Sequence, residues 1–363
     1  MGQITAEIVA HSLSPQGDEL ISVLCTFPRI ILAEVNTHRM LSKNTSSSRA
    51  IPFKKMVESI QDDPFIPIAW QKHHSGMQGN EYWDVTIKGE IGELDHTNIP
   101  AKWLRARDTA VTMAEVLHDG PQGVTKQLAN RLLEPFMWTT MLITGPRSGW
   151  DNFFELRNPV YMHPLDLSKE VYKSKKDYIY TQKERGNESI DSYSEQDFRN
   201  MNKGQAEIHI MDLAEKIYDV IQESTPKQSE KDQWHIPFED KINELYPGLT
   251  LEDQIKVSVG MAANTSYTVV GDGSIINLEK ATRIHDKCKE LNHSSVFEHC
   301  ARSMSNEEYV SFIKGNLDAE IDADGYIDIS THINNHNSFG WCRNFKGFIP
   351  YRHIIETKKY GNI

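Results

Sequence analysis

Residues 37–49 read THRMLSKNTSSSR. The stretch gathers His38, Arg39, Ser42, Asn44, Ser47 and Arg49. Serine hydroxyls and backbone N–H groups in a tight turn can wrap phosphate oxygens, and an arginine fork adds paired donors and charge. The competing reading is a polar loop that caps a helix, because Ser and Asn favour turns. Arg131 lies in a largely apolar stretch expected to be helical, and Arg157 closes FFELR. A buried arginine requires an anionic or hydrogen-bonding partner, so each invites either a ligand or a structural ion pair. In HSSVFEH, residues 293–299, His293, Ser295, Glu298 and His299 combine donors and acceptors. That spacing matches none of the common zinc signatures. His332 and His336 in THINNHN have helical ligand spacing but sit among Asn residues, which favours a surface loop. There is no Walker A loop and no GxGxxG, so a dinucleotide would need another architecture.

These groups stand out against an acidic background. The formal net charge is −12, which argues against broad electrostatic binding to nucleic acid and requires any anionic partner to be small and held locally. A chain of 363 residues that is 39% hydrophobic and 25% charged reads as folded, and it can bury a sizeable core. No run approaches the ~18 apolar residues of a spanning helix, and MGQITAEIVAHSLS lacks the features of a signal peptide, so the expected location is the cytoplasm with no membrane partner. Cys25, Cys288, Cys300 and Cys342 form no CxxC pair and read as reduced core residues.

The elements that must position these groups are expected to form one catalytic domain over 1–363. EIVAHSLS and ELISVLCTFPRIILAEVNTHRM read as strands, the second feeding a helix after Pro28. Residues 52–120 read as an insertion or elaborated loop. Within a helical core over 121–224, GVTKQLANRLLEPFMWTTMLIT reads as a buried helix kinked at Pro135, and 158–203 as a solvated excursion. QAEIHIMDLAEKIYDVIQES reads as an amphipathic helix and 225–250 as a polar connection. Beyond it, IKVSVGMAANTSYTVV reads as a strand and turn, LEKATRIHDKCKELN as a helix, HSSVFEHCARSMS as a loop entering a strand, and FGWCRNFKGFIPYRHIIE as a packed aromatic segment. No internal repeat is present.

Together these segments resemble the flavin-dependent thymidylate synthases. The family signature RHRxxSxNxxSxR is matched by THRMLSKNTSSSR, with Thr37 in place of the first arginine. NRLLEPFMWT, FFELR and GQAEI echo further family motifs, and NTSYT and NHSSVFEH echo RVSY and GHxSPFEH. In the family the last two precede the signature, whereas here they follow it, which looks like a circular permutation with residues 251–363 as the displaced family N-terminus and 1–51 as the nucleotide and flavin signature. The resemblance implies an α+β fold with insertions, a homotetramer with shared active sites, FAD, and NADPH and methylenetetrahydrofolate as co-substrates. It implies a methyltransferase that converts dUMP to dTMP. Carried over by position, Ser47, Ser48 and Arg49 of one subunit and Arg131 of another would hold the nucleotide phosphate. Glu34, Thr37 and Arg157 would meet the pyrimidine, with Arg157, Ser47 and His293 in catalytic roles. His38, Arg39, Met40, Asn152, Ser266, Ser295 and Glu298 would contact FAD, and His293 would sit near flavin and folate.

The departures are informative. Glu34 stands where the family usually has glutamine, and a carboxylate can only accept, so it would favour an amino group over a bare carbonyl on a pyrimidine edge. The alternative substrate is therefore dCMP, giving a 5-methyl or 5-hydroxymethyl product, while a simpler reading pairs Glu34 with Arg39. Thr45 replaces an acidic residue, and Pro146 and Ser148 replace flavin-facing residues. A third reading is a nucleotide- or flavin-binding module without catalysis.

Overall fold

The computed structural model describes residues 2–75, 81–83, 98–162, 170–265, 276–312 and 338–360. Its centre is a five-stranded sheet formed by β1 (Thr5–Leu13), β2 (Glu19–Pro28), β3 (Ser42–Thr45), β4 (Trp138–Pro146) and the short strand Lys227–Gln228, in the order β3-β4-β2-β1 followed by Lys227–Gln228. β1 and β3 run antiparallel to their neighbours β2 and β4, and β2 is antiparallel to β4. All nine residues of β4 are buried.

Alternation along the strands divides two cores. Ile21, Val23, Cys25 and Phe27 of β2 join Met141 and Ile143 of β4 on one face. Helix Ile208–Glu223 covers them with Ile210, Leu213, Ala214, Ile217 and Ile221, a helical-period stripe, beside Trp150, Phe153 and Phe154 of helix Arg147–Arg157. Leu24 and Leu142 point to the opposite face, where helix Leu251–Thr265 and helix Leu278–Glu290 pack. A three-stranded sheet of Trp234–His235, Ala301–Ser303 and Phe348–Pro350 adjoins this second core. The architecture is α+β, with helices on both faces of a mainly antiparallel sheet.

Several expectations are corrected. The stretch 123–144 is not a kinked helix. Only Lys126–Ala129 is α-helical, a 3-10 turn spans Asn130–Phe136 with Pro135 inside it, and β4 begins at Trp138. A fully buried strand reads as a continuous apolar run, which helical periodicity does not distinguish, and Thr139, Thr140, Ile143 and Thr144 supply the β-branched character. Residues 255–265 are helical, not a strand. Within 52–120, helices Phe53–Asp62 and Ile99–Asp119 pack against Leu133 and Phe136 in a core of their own. The excursion 158–203 likewise holds a small core of Tyr161, Tyr178, Ile190, Phe198 and Met201. Both strands of the N-terminal hairpin, helix Ile208–Glu223, helix Leu278–Glu290 and the entry into Ala301–Ser303 stand where the sequence places them. All four cysteines are free. Among the described residues no helix is long and apolar enough to cross a membrane.

Candidate functional site

The 37–49 stretch folds as two turns separated by β3, the edge strand of the sheet. Its three residue steps place the turns about 10 Å apart.

At the first turn, Thr37 Oγ1 donates to the Glu34 carbonyl at 2.6 Å. Arg157, the last residue of helix Arg147–Arg157, donates from Nη2 to Thr37 Oγ1 at 3.4 Å and from Nε to His38 Nε2 at 3.0 Å. An accepting Nε2 places the imidazole proton on Nδ1. Burial, reinforced by the charges of Arg157 and Lys43, holds His38 down to about 4, so the ring is neutral, and its edge rests on Phe153 at 4.8 Å. Lys43 donates to the His38 carbonyl; burial lowers its ammonium to about 8 against the opposing pull of Glu298. Leu41 fixes the turn from below, since a Cβ on Gly145 would lie 2.3 Å from Leu41 Cδ2.

The 3-10 turn Ser294–Glu298 packs beside β3 and brings Glu298 into this neighbourhood. Glu298 pairs with Arg352, Arg352 Nε meets Glu356 at 2.8 Å, and Glu356 also holds Arg343. Asn344 Nδ2 donates to the Arg39 carbonyl at 3.1 Å. Segments 37–45, 157, 294–298 and 343–356 therefore converge. The sequence reading missed Lys43, Asn344 and Arg352; the Arg352 and Glu356 spacing of four on a helix was the available signal.

At the second turn, Ser48 Oγ donates to Glu134 Oε1 at 2.5 Å. The same carboxylate lies 3.4 Å from Arg29 Nη2 and 3.9 Å from Arg131 Nη1. Arg29 Nη1 donates to the Ser46 carbonyl at 2.6 Å, and Asn130 Nδ2 donates to the Ser48 carbonyl at 2.6 Å. Arg131 is not a buried helical arginine: its side chain is 52% exposed at the surface of the 3-10 turn. Arg131 and Ser48 of one chain thus meet on one carboxylate. Arg29 and Glu134 were missed, although Glu134 follows Arg131 by three residues.

The remaining residues fall as follows. Ser42 and Asn44 are buried in β3, with Asn44 Nδ2 committed to the Ala262 carbonyl at 3.1 Å, so neither belongs to an open cradle. Ser47 is half-buried, while Arg39, Arg49, Asn152, His293 and Ser295 are exposed. Met40 sits over Gly149. Glu34 makes no ion pair among the described residues, so the simpler alternative of a pairing with Arg39 is not formed, and its Oε2 is buried without a hydrogen-bond partner among them. Glu207 of GQAEI caps helix Ile208–Glu223 by accepting from His209 and Ile210 N–H groups. Ser266, His332 and His336 lie outside the described residues.

This arrangement suits an extended anion: Arg29, Arg49 and Arg131 gather at one end of β3, and Arg39, Lys43 and Arg157 at the other. No family model matches the chain, and no curated protein matches it. Among solved structures, it is similar to a UMP/dUMP methylase PolB from Streptomyces cacaoi bound with 5-Br UMP, at 16% identity and a TM-score of 0.33, covering 55% of this chain and 98% of that one. The same methylase bound with 5-Br dUMP is similar at 14% identity and a TM-score of 0.36, over 61% of this chain and 91% of that one.

Proposed function

We propose that the chain transfers a one-carbon unit to C5 of a pyrimidine deoxynucleoside monophosphate, with methylenetetrahydrofolate as donor, FAD as cofactor and NADPH as reductant. The observation that carries this reading is the convergence on β3 of Thr37, His38, Arg157 and Glu298, which lie as much as 261 positions apart in sequence. Ser47, Arg49 and Arg131 would hold the phosphate, helped by Arg29, whereas Ser48 is buried and committed to Glu134 and would only support the turn. Arg157 would stabilise negative charge developing on the ring, and neutral His38 would hold the guanidinium in place. Arg39, Asn152, His293 and Ser295 are exposed and so open to a ligand, and with Met40, Ser266 and Glu298 they are the proposed contacts of FAD. Bound flavin would supply the hydride and an apolar ring face against the pyrimidine.

The preferred substrate on the resemblance is dUMP. A second reading, dCMP, is favoured by Glu34, whose buried Oε2 lacks a donor that a cytosine amino group would supply. The test is the product mass from an anaerobic competition of equal dUMP and dCMP with FAD, NADPH and methylenetetrahydrofolate. A product heavier by one carbon unit supports the proposal; a chain that takes up no FAD and alters neither nucleotide overturns it and leaves a binding module. Glu34→Gln is expected to shift selectivity toward dUMP by about 10-fold or more if the carboxylate reads an amino group. The tetramer is part of the proposal and is read by sedimentation.

A further inference from the structure

A line of hydrogen-bonded side chains crosses the sheet on the face covered by helix Leu251–Thr265. Ser12 of β1 meets His235 Nδ1 at 2.9 Å, and His235 Nε2 meets Ser22 of β2 at 2.8 Å. Ser22 Oγ lies 2.6 Å from Thr144 Oγ1 of β4, which lies 2.9 Å from His299 Nδ1. The three middle groups, His235, Ser22 and Thr144, are each at most 1% exposed. At the Ser12 end the line reaches a cavity of about 210 Å³ between β1 and residues 224–240. At the other end His299 Nε2 is buried with no hydrogen-bond partner among the described residues. His299 is the residue after Glu298, in the segment assigned to the cofactor.

We propose that Ser12, His235, Ser22, Thr144 and His299 form a proton wire between that cavity and His299 Nε2. Each hydroxyl owns one proton and each neutral imidazole owns one, so the line has two self-consistent polarities. In one, both histidines carry hydrogen on Nε2, and Ser12, Ser22 and Thr144 all donate toward His299. When His299 Nε2 gives its proton to a bound molecule, Thr144 passes a proton to His299 Nδ1, Ser22 to Thr144, His235 to Ser22 and Ser12 to His235, and water in the cavity restores Ser12. One proton enters, one leaves, and no residue ends charged. The line is then in the second polarity, with both histidines protonated on Nδ1 and every donor reversed. Burial, which keeps both imidazoles neutral, suits this role.

The wire requires the two histidines to hold the same tautomer. The experiment is 15N NMR of the full-length, histidine-labelled protein without ligand, which separates Nδ1–H from Nε2–H, so it stands or falls independently of the methylation reading. Matching tautomers in the wild type are expected. Opposite tautomers, with both rings donating inward, overturn the proposal. Thr144→Val, which touches His299 but not His235, is expected to change the His235 tautomer ratio several-fold, and Thr144→Ser to restore it; an unaltered His235 in folded Thr144→Val overturns the proposal. The role in catalysis rests on the proposed reaction and predicts at least a 10-fold fall in turnover for Thr144→Val, recovered by Thr144→Ser.

Discussion

Acidification is expected to weaken this fold well above the range in which most carboxylates titrate. Burial lowers His38 to about 4 and His235 and His299 to about 3, against 6.5 in the unfolded chain. Between these values the unfolded state binds more protons, so stability is full above pH 6.5 and is lost as pH falls toward the folded values. At pH 5 each histidine costs about 2 kcal/mol relative to pH 7.5, about 6 kcal/mol for the three. Glu215 works the other way. It is buried, accepts from Tyr161 Oη at 3.0 Å and Lys175 N at 2.5 Å, and burial raises it to about 7 from 4.5. Its folded form takes up a proton first and returns about 2 kcal/mol by pH 5. The net loss from these four groups is about 4 kcal/mol, a large part of the ~5–15 kcal/mol that holds a domain together. Urea unfolding at pH 7.5 and 5.0 measures it. His235→Gln should reduce the difference to about 2 kcal/mol, and Glu215→Gln should enlarge it to about 6 kcal/mol. A Glu215→Gln protein with an unchanged or smaller pH dependence would refute the reasoning.

Arg157→Ala removes the donors to His38 and Thr37 and should lower kcat/KM by about 10- to 100-fold, on the ~1.5–3 kcal/mol scale of a charged hydrogen bond, as measured by product formation. Lys43 is charged below about 8, so affinity for a nucleoside monophosphate should fall as pH rises through that value in calorimetric titrations, and Lys43→Met should flatten this dependence. Gly145→Ala drives a methyl into Leu41 and should cost about 1–3 kcal/mol in thermal unfolding while displacing the 37–41 turn.

The residues of the candidate site were more legible in the sequence than the elements that carry them. Types alone marked His38, Arg157 and Glu298, because a histidine, an arginine and a carboxylate in short hydroxyl-rich or aromatic contexts call for partners. The division of 37–49 into two turns was hidden, because SKNT has no strand signal of its own and pairs only because β4 lies beside it. β4 was itself misread, since a strand buried on both faces has no alternation to detect. Arg131 misled for a related reason: its stretch became a short α-helix and a 3-10 turn at the surface, in which the apolar neighbours Leu128 and Leu132 are also exposed. Helix Ile208–Glu223 was legible because one of its faces meets the sheet and the other does not.

The packing of helix Leu251–Thr265 over Leu24 and Leu142 also sets a timetable for synthesis. The sheet's strands β1 to β4 are complete once residue 146 has been made, but the helix that covers this face begins 105 residues later. At ~5–20 residues per second the ribosome leaves that apolar face bare for roughly 5–20 s. Segment 294–298, which supplies Glu298 beside β3, emerges later still. The nascent chain therefore presents a sticky half-sandwich well before its site can form, and its yield should depend on chaperones that hold this intermediate until the covering helices arrive.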